Sequence, residues 1–233
     1  MSDKPKPTPD VIRDFERVSP EIVKQAAKIQ PAIFADVAGR RGALHSRIRA
    51  LAPTMKVCGP ALTVDVRPGD NLMIHAAIAL AKPGDVLVID GKGDQTAALM
   101  GTIMMSACKV LGIAGVVMDG ACRDSLEIME MGYPVFSAGT NPYGPTKFVP
   151  GRINWPVSVG GVTVNPGDLI VGDADGVVVI ERAKAESLLE PALKKEADEA
   201  KRIAAIRRNE ALRPPWLDGA LRAAGVLKEG ETL

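Results

Sequence analysis

Between Asn71 and Ser137 the hydrophobic pattern switches repeatedly between two periods. Helical spacing over Asn71–Ala81, Thr102–Leu111 and Arg123–Met131 alternates with short unbroken apolar runs at Val86–Asp90, Ala114–Met118 and Pro134–Ser137. Apolar runs without a polar face predict strands buried on both sides, and their alternation with amphipathic helices predicts parallel βαβα organisation. In the helix expected from Thr102, apolar Ile103, Met104, Ala107, Val110 and Leu111 fall at i, i+1, i+4, i+7 and i+8, which predicts that they form its buried face. Residues Gly91 to Gly101 read as a glycine-bearing loop between strand and helix.

The flanking regions have another character. Ser19-Pro20-Glu21 supplies an N-cap, a first-turn proline and an early acid, so a helix starts there; a second is expected over Ala32–Ala38, ended by Gly39. Val57–Val66 alternates as a strand. Residues Thr140–Arg152 carry Asn-Pro, Gly-Pro and Pro-Gly pairs and read as a long surface loop. Short β-branched runs at Val157–Val159, Val162–Val164, Asp168–Val171 and Gly176–Ile180 are spaced as antiparallel hairpins, and a charged amphipathic helix follows over about Ala183–Arg208. The expected division is a flexible lead-in over residues 1–18, charged and proline-rich at its start, a single α/β domain over 19–210, and a peripheral tail over 211–233.

Composition narrows the partners. With 29 Lys+Arg against 28 Asp+Glu the net charge is +1, without the basic excess that binding several phosphates demands, so no nucleic-acid partner is expected. Aromatic residues make up 3% of the chain, which leaves few platforms for stacking bases. The least polar stretch, Thr96–Met118, is broken by Lys109 and three glycines, so no membrane span is expected. Three cysteines without a CxxC pair, and an N-terminus lacking an apolar signal core, point to the cytoplasm.

Candidate chemistry concentrates at the strand ends. Gly91-Lys92-Gly93 imitates a dinucleotide loop, but about ten residues separate it from the helix it should open onto. At Gly101-Thr102 the helix start is either a plain cap or a set of free amides (Thr102, Ile103, Met104) able to bind a carboxylate or phosphate. Arg123-Asp124 follows a buried strand, where open α/β sheets place ligands; the alternative is a local ion pair at a helix start. Asp90 and Asp119 end strands on the same edge, and clustered carboxylates there would suit a hard divalent cation. Histidine is confined to His45 and His75, with no zinc-binding pattern; His75 reads as a packed or capped residue. Lys92 and Lys109 offer Schiff-base chemistry or simple solvated charges.

These segments together resemble the RraA-like family, which includes class II 4-hydroxy-4-methyl-2-oxoglutarate aldolases and regulators of ribonuclease E activity. The resemblance rests on Gly84-Asp85-Val86-Leu87-Val88-Ile89-Asp90-Gly91, on Met100-Gly101, on Gly115 to Met118 leading into Asp119-Gly120-Ala121-Cys122-Arg123-Asp124, and on Val171-Gly172-Asp173-Ala174-Asp175-Gly176. It implies an α-β-β-α sandwich of the swivelling phosphohistidine-domain type, assembled as trimers or hexamers with sites between subunits. It further implies a Mg²⁺- or Mn²⁺-dependent lyase for small 2-oxo acids, releasing pyruvate by aldol cleavage or by oxaloacetate decarboxylation. By position, Arg123 corresponds to the substrate arginine, Asp124 to the metal ligand, and Gly101 to Met104 to the carboxylate-binding amides. Glu196, with Glu199 as second choice, corresponds to an acid that approaches the metal from a neighbouring subunit. The aldolases carry an acid where this chain has Thr102, which implies weakened aldolase activity. Two other functions follow from the same resemblance: a non-catalytic interaction protein of the ribonuclease-regulator kind, or an enzyme for a different small acid.

Overall fold

The computed structural model describes residues 10–210 and 212–233, in two compact units, one ending at Ala192 and a smaller one over Leu193–Leu233. The larger unit is built on helices α1 (Pro20–Ala26) and α2 (Pro31–Val37), strands β1 (Arg49–Ala50) and β2 (Val57–Asp65), α3 (Leu72–Leu80), β3 (Val86–Met100), α4 (Thr102–Val110), β4 (Gly115–Cys122), α5 (Ser125–Met131) and β5 (Val135–Thr140). Short strands β6 (Arg152–Ile153), β7 (Val157–Val159), β8 (Val162–Val164), β9 (Leu169–Asp173) and β10 (Gly176–Ile180) follow, then α6 (Arg182–Arg207). In the main sheet the strands lie in the order β1-β5-β4-β3-β2-β9-β10. Strands β2 to β5 are mutually parallel, while β1, β9 and β10 pair antiparallel at the flanks and β7 pairs with β8 in a separate hairpin.

Alternation along the strands sorts the side chains into layers. Leu87 and Ile89 face one core with Met105, Cys108 and Ile128 from the helices, whereas Val86 and Val88 face a second core shared with Val159, Val164, Ile170 and Val179 of the hairpins. On the outer side of β9–β10, Val171, Val178 and Ile180 meet Phe34, Ala185 and Leu189 from α2 and α6. Helices, sheet, β hairpins and helices therefore stack as α-β-β-α, the arrangement the resemblance implied.

Two local expectations are corrected. Residues 91–100 are not a free loop: β3 continues to Met100 alongside β4, with register shifts between Ile89 and Asp94, Asp94 and Ala98, and Ala98 and Met100. Lys92 and Gly93, both at positive φ, push the middle of the strand outward, and the buried Ala97 to Met100 bring it back into the sheet. The buried face of α4 agrees with the expected one only at Met104. Met104, Met105 and Cys108 point into the core, while Ile103 and Val110 are 85% and 87% exposed.

Of the lead-in expected over residues 1–18, residues 1–9 lie outside the described ones. The remainder runs extended and attached: Ile12 N–H donates to the Ile153 carbonyl, Val18 N–H donates to that of Gly167, and Arg17 grips Asp85 through two bonds of 2.7 and 2.9 Å. In the smaller unit, Lys195 pairs with Glu199 on α6, and Arg213 pairs with Asp218 on α7 (Leu217–Ala223).

Asp119 and Asp90 do not form a shared cation cradle. Asp119 receives a two-pronged bond from Arg47, at 3.0 and 2.6 Å, and the Gly160 amide at 2.8 Å; Asp90 pairs with Lys92 at 2.6 Å. Burial works to raise the Asp119 carboxyl, but Arg47 and the Gly160 amide outweigh it and hold it below the ordinary carboxylate range. The stabilisation is therefore complete above about pH 4 and is lost as pH falls through the lower, folded-state value. Asp119→Asn should cost about 2–3 kcal/mol at pH 7, below the full buried-pair value because Arg47 can rehydrate. Urea denaturation should show the gap to the parent narrowing towards pH 3, and a gap independent of pH would sink this account.

Candidate active site

The end of β4 and the start of α4 meet through one carboxylate. After Cys122 the chain leaves the sheet, and Asp124 adopts a left-handed backbone at φ 59° before α5 begins. This turn points Asp124 back at α4, whose own N-cap, Gly101, has no side chain to offer; Asp124 Oδ2 accepts the Thr102 amide at 3.0 Å instead. The first bond within the helix runs from Met105 N–H to the Gly101 carbonyl, so the Ile103 and Met104 amides precede the helical ladder. Arg123 is held by its own amide on the Met100 carbonyl, with its Nε 3.8 Å from Asp124 Oδ2. A Cβ at Gly101 would press on Asp124 Oδ2 and lie 3.0 Å from Arg123 Cγ, so any larger residue there would shift both side chains.

A cleft of about 180 Å³ opens beside this junction. Gly101, Ile103, Met104, Arg123 and Asp124, all singled out in the sequence, line it together. Thr102 joins them through its amide, while its Oγ1 is buried with no hydrogen-bond partner. Glu196 and Glu199 belong to the smaller unit. Sequence reasoning did not assign to the site its three other polar lining residues, Asn71, His75 and Lys147. His75 is exposed at the cleft, not packed in the core, because α3 buries Met73, Ile74, Ala77 and Ile78 on its other side. No local motif marks Lys147, which arrives on the long loop after β5.

That loop is fastened from below. Asp70, 1% exposed, accepts from the Thr146 hydroxyl at 2.6 Å and from the Phe148 amide at 2.8 Å. Burial raises the Asp70 carboxyl, but these donors and the Leu72 and Val149 amides together hold it below the usual range. The lysines considered for Schiff-base chemistry are committed elsewhere. Lys92 bridges Asp65 and Asp90 at 2.6 Å each, which keeps it protonated against the cost of burial, and Lys109 donates to the Met131 carbonyl at 2.7 Å. The cysteines are free thiols, and burial pushes Cys58 up to about 12 and Cys108 up to about 11, far from a reactive thiolate.

What the cleft offers a hard cation is the partly exposed carboxylate of Asp124. Mg²⁺ commonly takes one or two carboxylates and fills its other positions with water and substrate. Among the described residues no group of three or more His, Cys, Asp or Glu side chains is placed to hold a metal. No helix among them is long and apolar enough to cross a membrane.

Comparison with known proteins identifies the family and the fold. The family model described as RraA-like, Aldolase/RraA, matches residues 10–179. A protein of Halalkalibacterium halodurans named "Putative 4-hydroxy-4-methyl-2-oxoglutarate aldolase" is 48% identical over 166 residues, covering 71% of this chain and 79% of that one. Among solved structures, an uncharacterized protein from Pseudomonas syringae superposes with a TM-score of 0.77 at 27% identity, over 85% of this chain and 94% of its own. Streptomyces coelicolor RraAS2, described as an unusual member of the RNase ES inhibitor RraA protein family, gives a TM-score of 0.73 at 32% identity, over 80% and 98%. A match across most of the chain, on a fold whose strand ends bring Arg123, Asp124 and the start of α4 together, places this protein in the RraA-like family.

Proposed function

We propose that the protein is a divalent-metal-dependent carbon–carbon lyase for 2-oxo acids, releasing pyruvate from 4-hydroxy-4-methyl-2-oxoglutarate or related substrates and from oxaloacetate. The observation that carries the reading is the junction itself: a carboxylate, a guanidinium and first-turn helix amides around one small cleft. In this proposal Asp124 holds Mg²⁺ or Mn²⁺, which would supply Lewis-acid polarisation of the 2-oxo group. The Ile103 and Met104 amides bind the substrate carboxylate. In aldol cleavage the C4 hydroxyl gives its proton to solvent and becomes a carbonyl as the C3–C4 bond breaks, the bonding pair is delocalised to the 2-oxo oxygen as pyruvate enolate, and a proton from solvent at C3 then gives pyruvate. In oxaloacetate decarboxylation the same pair is left when carbon dioxide departs. Arg123 is the protein group placed to compensate the enolate charge as it develops.

The site is proposed to be completed by Glu196 of a neighbouring copy in a homotrimer or hexamer. Exposed Ile103, Val110, Leu111 and Leu126 on α4 and α5 supply an apolar surface suited to such packing. Light scattering should give a trimer or hexamer; a monomer at micromolar concentration would count against it. The proposed setting is the cytoplasm, with no nucleic-acid partner. The deciding experiment is enzyme-dependent pyruvate release from both substrates, with metal, with EDTA and in Asp124→Ala. Loss under both treatments supports the lyase. Absence of release from the parent protein favours the second reading, a non-catalytic regulator, for which Thr102 and the likeness to Streptomyces coelicolor RraAS2 speak.

A further inference from the structure

Three polar residues that the lyase reading leaves without a role, Asn71, His75 and Lys147, line the same cleft as Arg123 and Asp124. His75 and Lys147 line it together, and desolvation of the ring, with the Lys147 cation as a smaller effect, lowers the proton affinity of the imidazole. Lys147 has no carboxylate partner among the described residues. It is nonetheless placed by a built support: its two neighbours, Thr146 and Phe148, are both bonded to buried Asp70, and the Asn71 amide donates to the Thr146 carbonyl at 3.0 Å. A lysine cation that lines the cleft with His75 and Arg123, with no carboxylate to pair with among the described residues, marks a place for an anion brought by a ligand.

A second observation is independent of charge. Asn71 is 3% exposed and lines the same cleft; its amide nitrogen donates to the Leu99 carbonyl at 2.9 Å and contacts Met104 Sδ at 3.3 Å. That arrangement fixes which side of the amide is oxygen, and Oδ1 is buried with no donor from the protein. A buried acceptor left without a partner is costly unless something bound supplies the donor, and a hydroxyl next to a carboxylate would do so.

We propose that Lys147, assisted by His75, binds the far carboxylate of a dicarboxylic 2-oxo acid whose near carboxylate lies at the start of α4, so that Lys147 determines the preference for diacids over monoacids. The assignment rests on the lyase reading for the near end, and the test separates the two. Calorimetric binding in the presence of Mg²⁺ is measured for 2-oxoglutarate, a diacid without the cleavable bond, and for the monoacid 2-oxobutanoate. The parent protein should bind 2-oxoglutarate about fivefold more tightly, the upper end for one exposed ion pair. Lys147→Met should remove that preference while leaving 2-oxobutanoate within twofold, and Lys147→Arg should keep most of it. A preference that survives Lys147→Met, or an equal loss for both acids, overturns the assignment. A parent protein that binds the monoacid but shows no diacid preference overturns the assignment alone; one that binds neither acid overturns the lyase reading with it.

Discussion

Thr102→Asp is expected to raise aldol cleavage by about 10- to 100-fold, the gain typical of adding a positioned general base, while oxaloacetate decarboxylation changes by less than about threefold. The two reactions share the pyruvate enolate but differ in one proton. Aldol cleavage requires the C4 hydroxyl to give up its proton, and a threonine cannot accept it at neutral pH. Loss of carbon dioxide needs no such acceptor. Position 102 is suited to the task because its amide already touches Asp124 and its side-chain oxygen is buried and unpartnered. A carboxylate introduced there would sit beside that of Asp124, and like charges at short range lift one of the pair towards a useful basicity. Steady-state kinetics on both substrates measures the effect. Equal gains in the two reactions, or none in either, would contradict the role assigned to this position.

Arg123→Ala is expected to lower kcat/KM for both reactions by about 10²- to 10³-fold, the usual cost of removing a donor aimed at a developing oxyanion. Here the losses should be parallel, because the enolate is common to both. Arg123→Lys should recover only part of the rate: the ammonium restores charge but lacks the planar fork, and Gly144 and Gly101 leave space shaped for the guanidinium, each placing a would-be Cβ 3.0 Å from an Arg123 atom. Circular dichroism should show an unchanged fold, since Arg123 is 43% exposed and makes only a long contact with Asp124. A variant that cleaves one substrate normally and fails on the other would place Arg123 in substrate selection, not in the shared step.

The α4 helix shows where local pattern reaches its limit. Its nine residues carry two apolar stripes, one through Ile103, Ala107 and Val110 and one through Met104, Met105 and Cys108. Helical period predicts a helix from either stripe but cannot choose between them. The choice is made by β3 and β4, against which the second stripe packs, and the first is left on the surface. The β3 extension escaped for a related reason. Glycines after a strand usually end it, whereas here Lys92 and Gly93 form an outward bulge whose far side returns to pair with Ala121 and Cys122.

What the sequence determined by itself was the alternation of buried parallel strands with helices and half of the cleft. Parallel strands buried on both faces leave a period-free apolar signature, and Gly101, Arg123 and Asp124 sit at element ends that the same signature locates. What only the tertiary structure decided was how those ends are used. Asp124 caps a helix 22 residues earlier, which consumes the Thr102 amide, and Asp119 and Asp90 are drawn into ion pairs away from it. The placing of Lys147 in the cleft depends on Asp70 holding Thr146 and Phe148 across 76 and 78 residues of chain. Such contacts have no sequence period, because they arise only when the packed sheet brings two loops to the same edge.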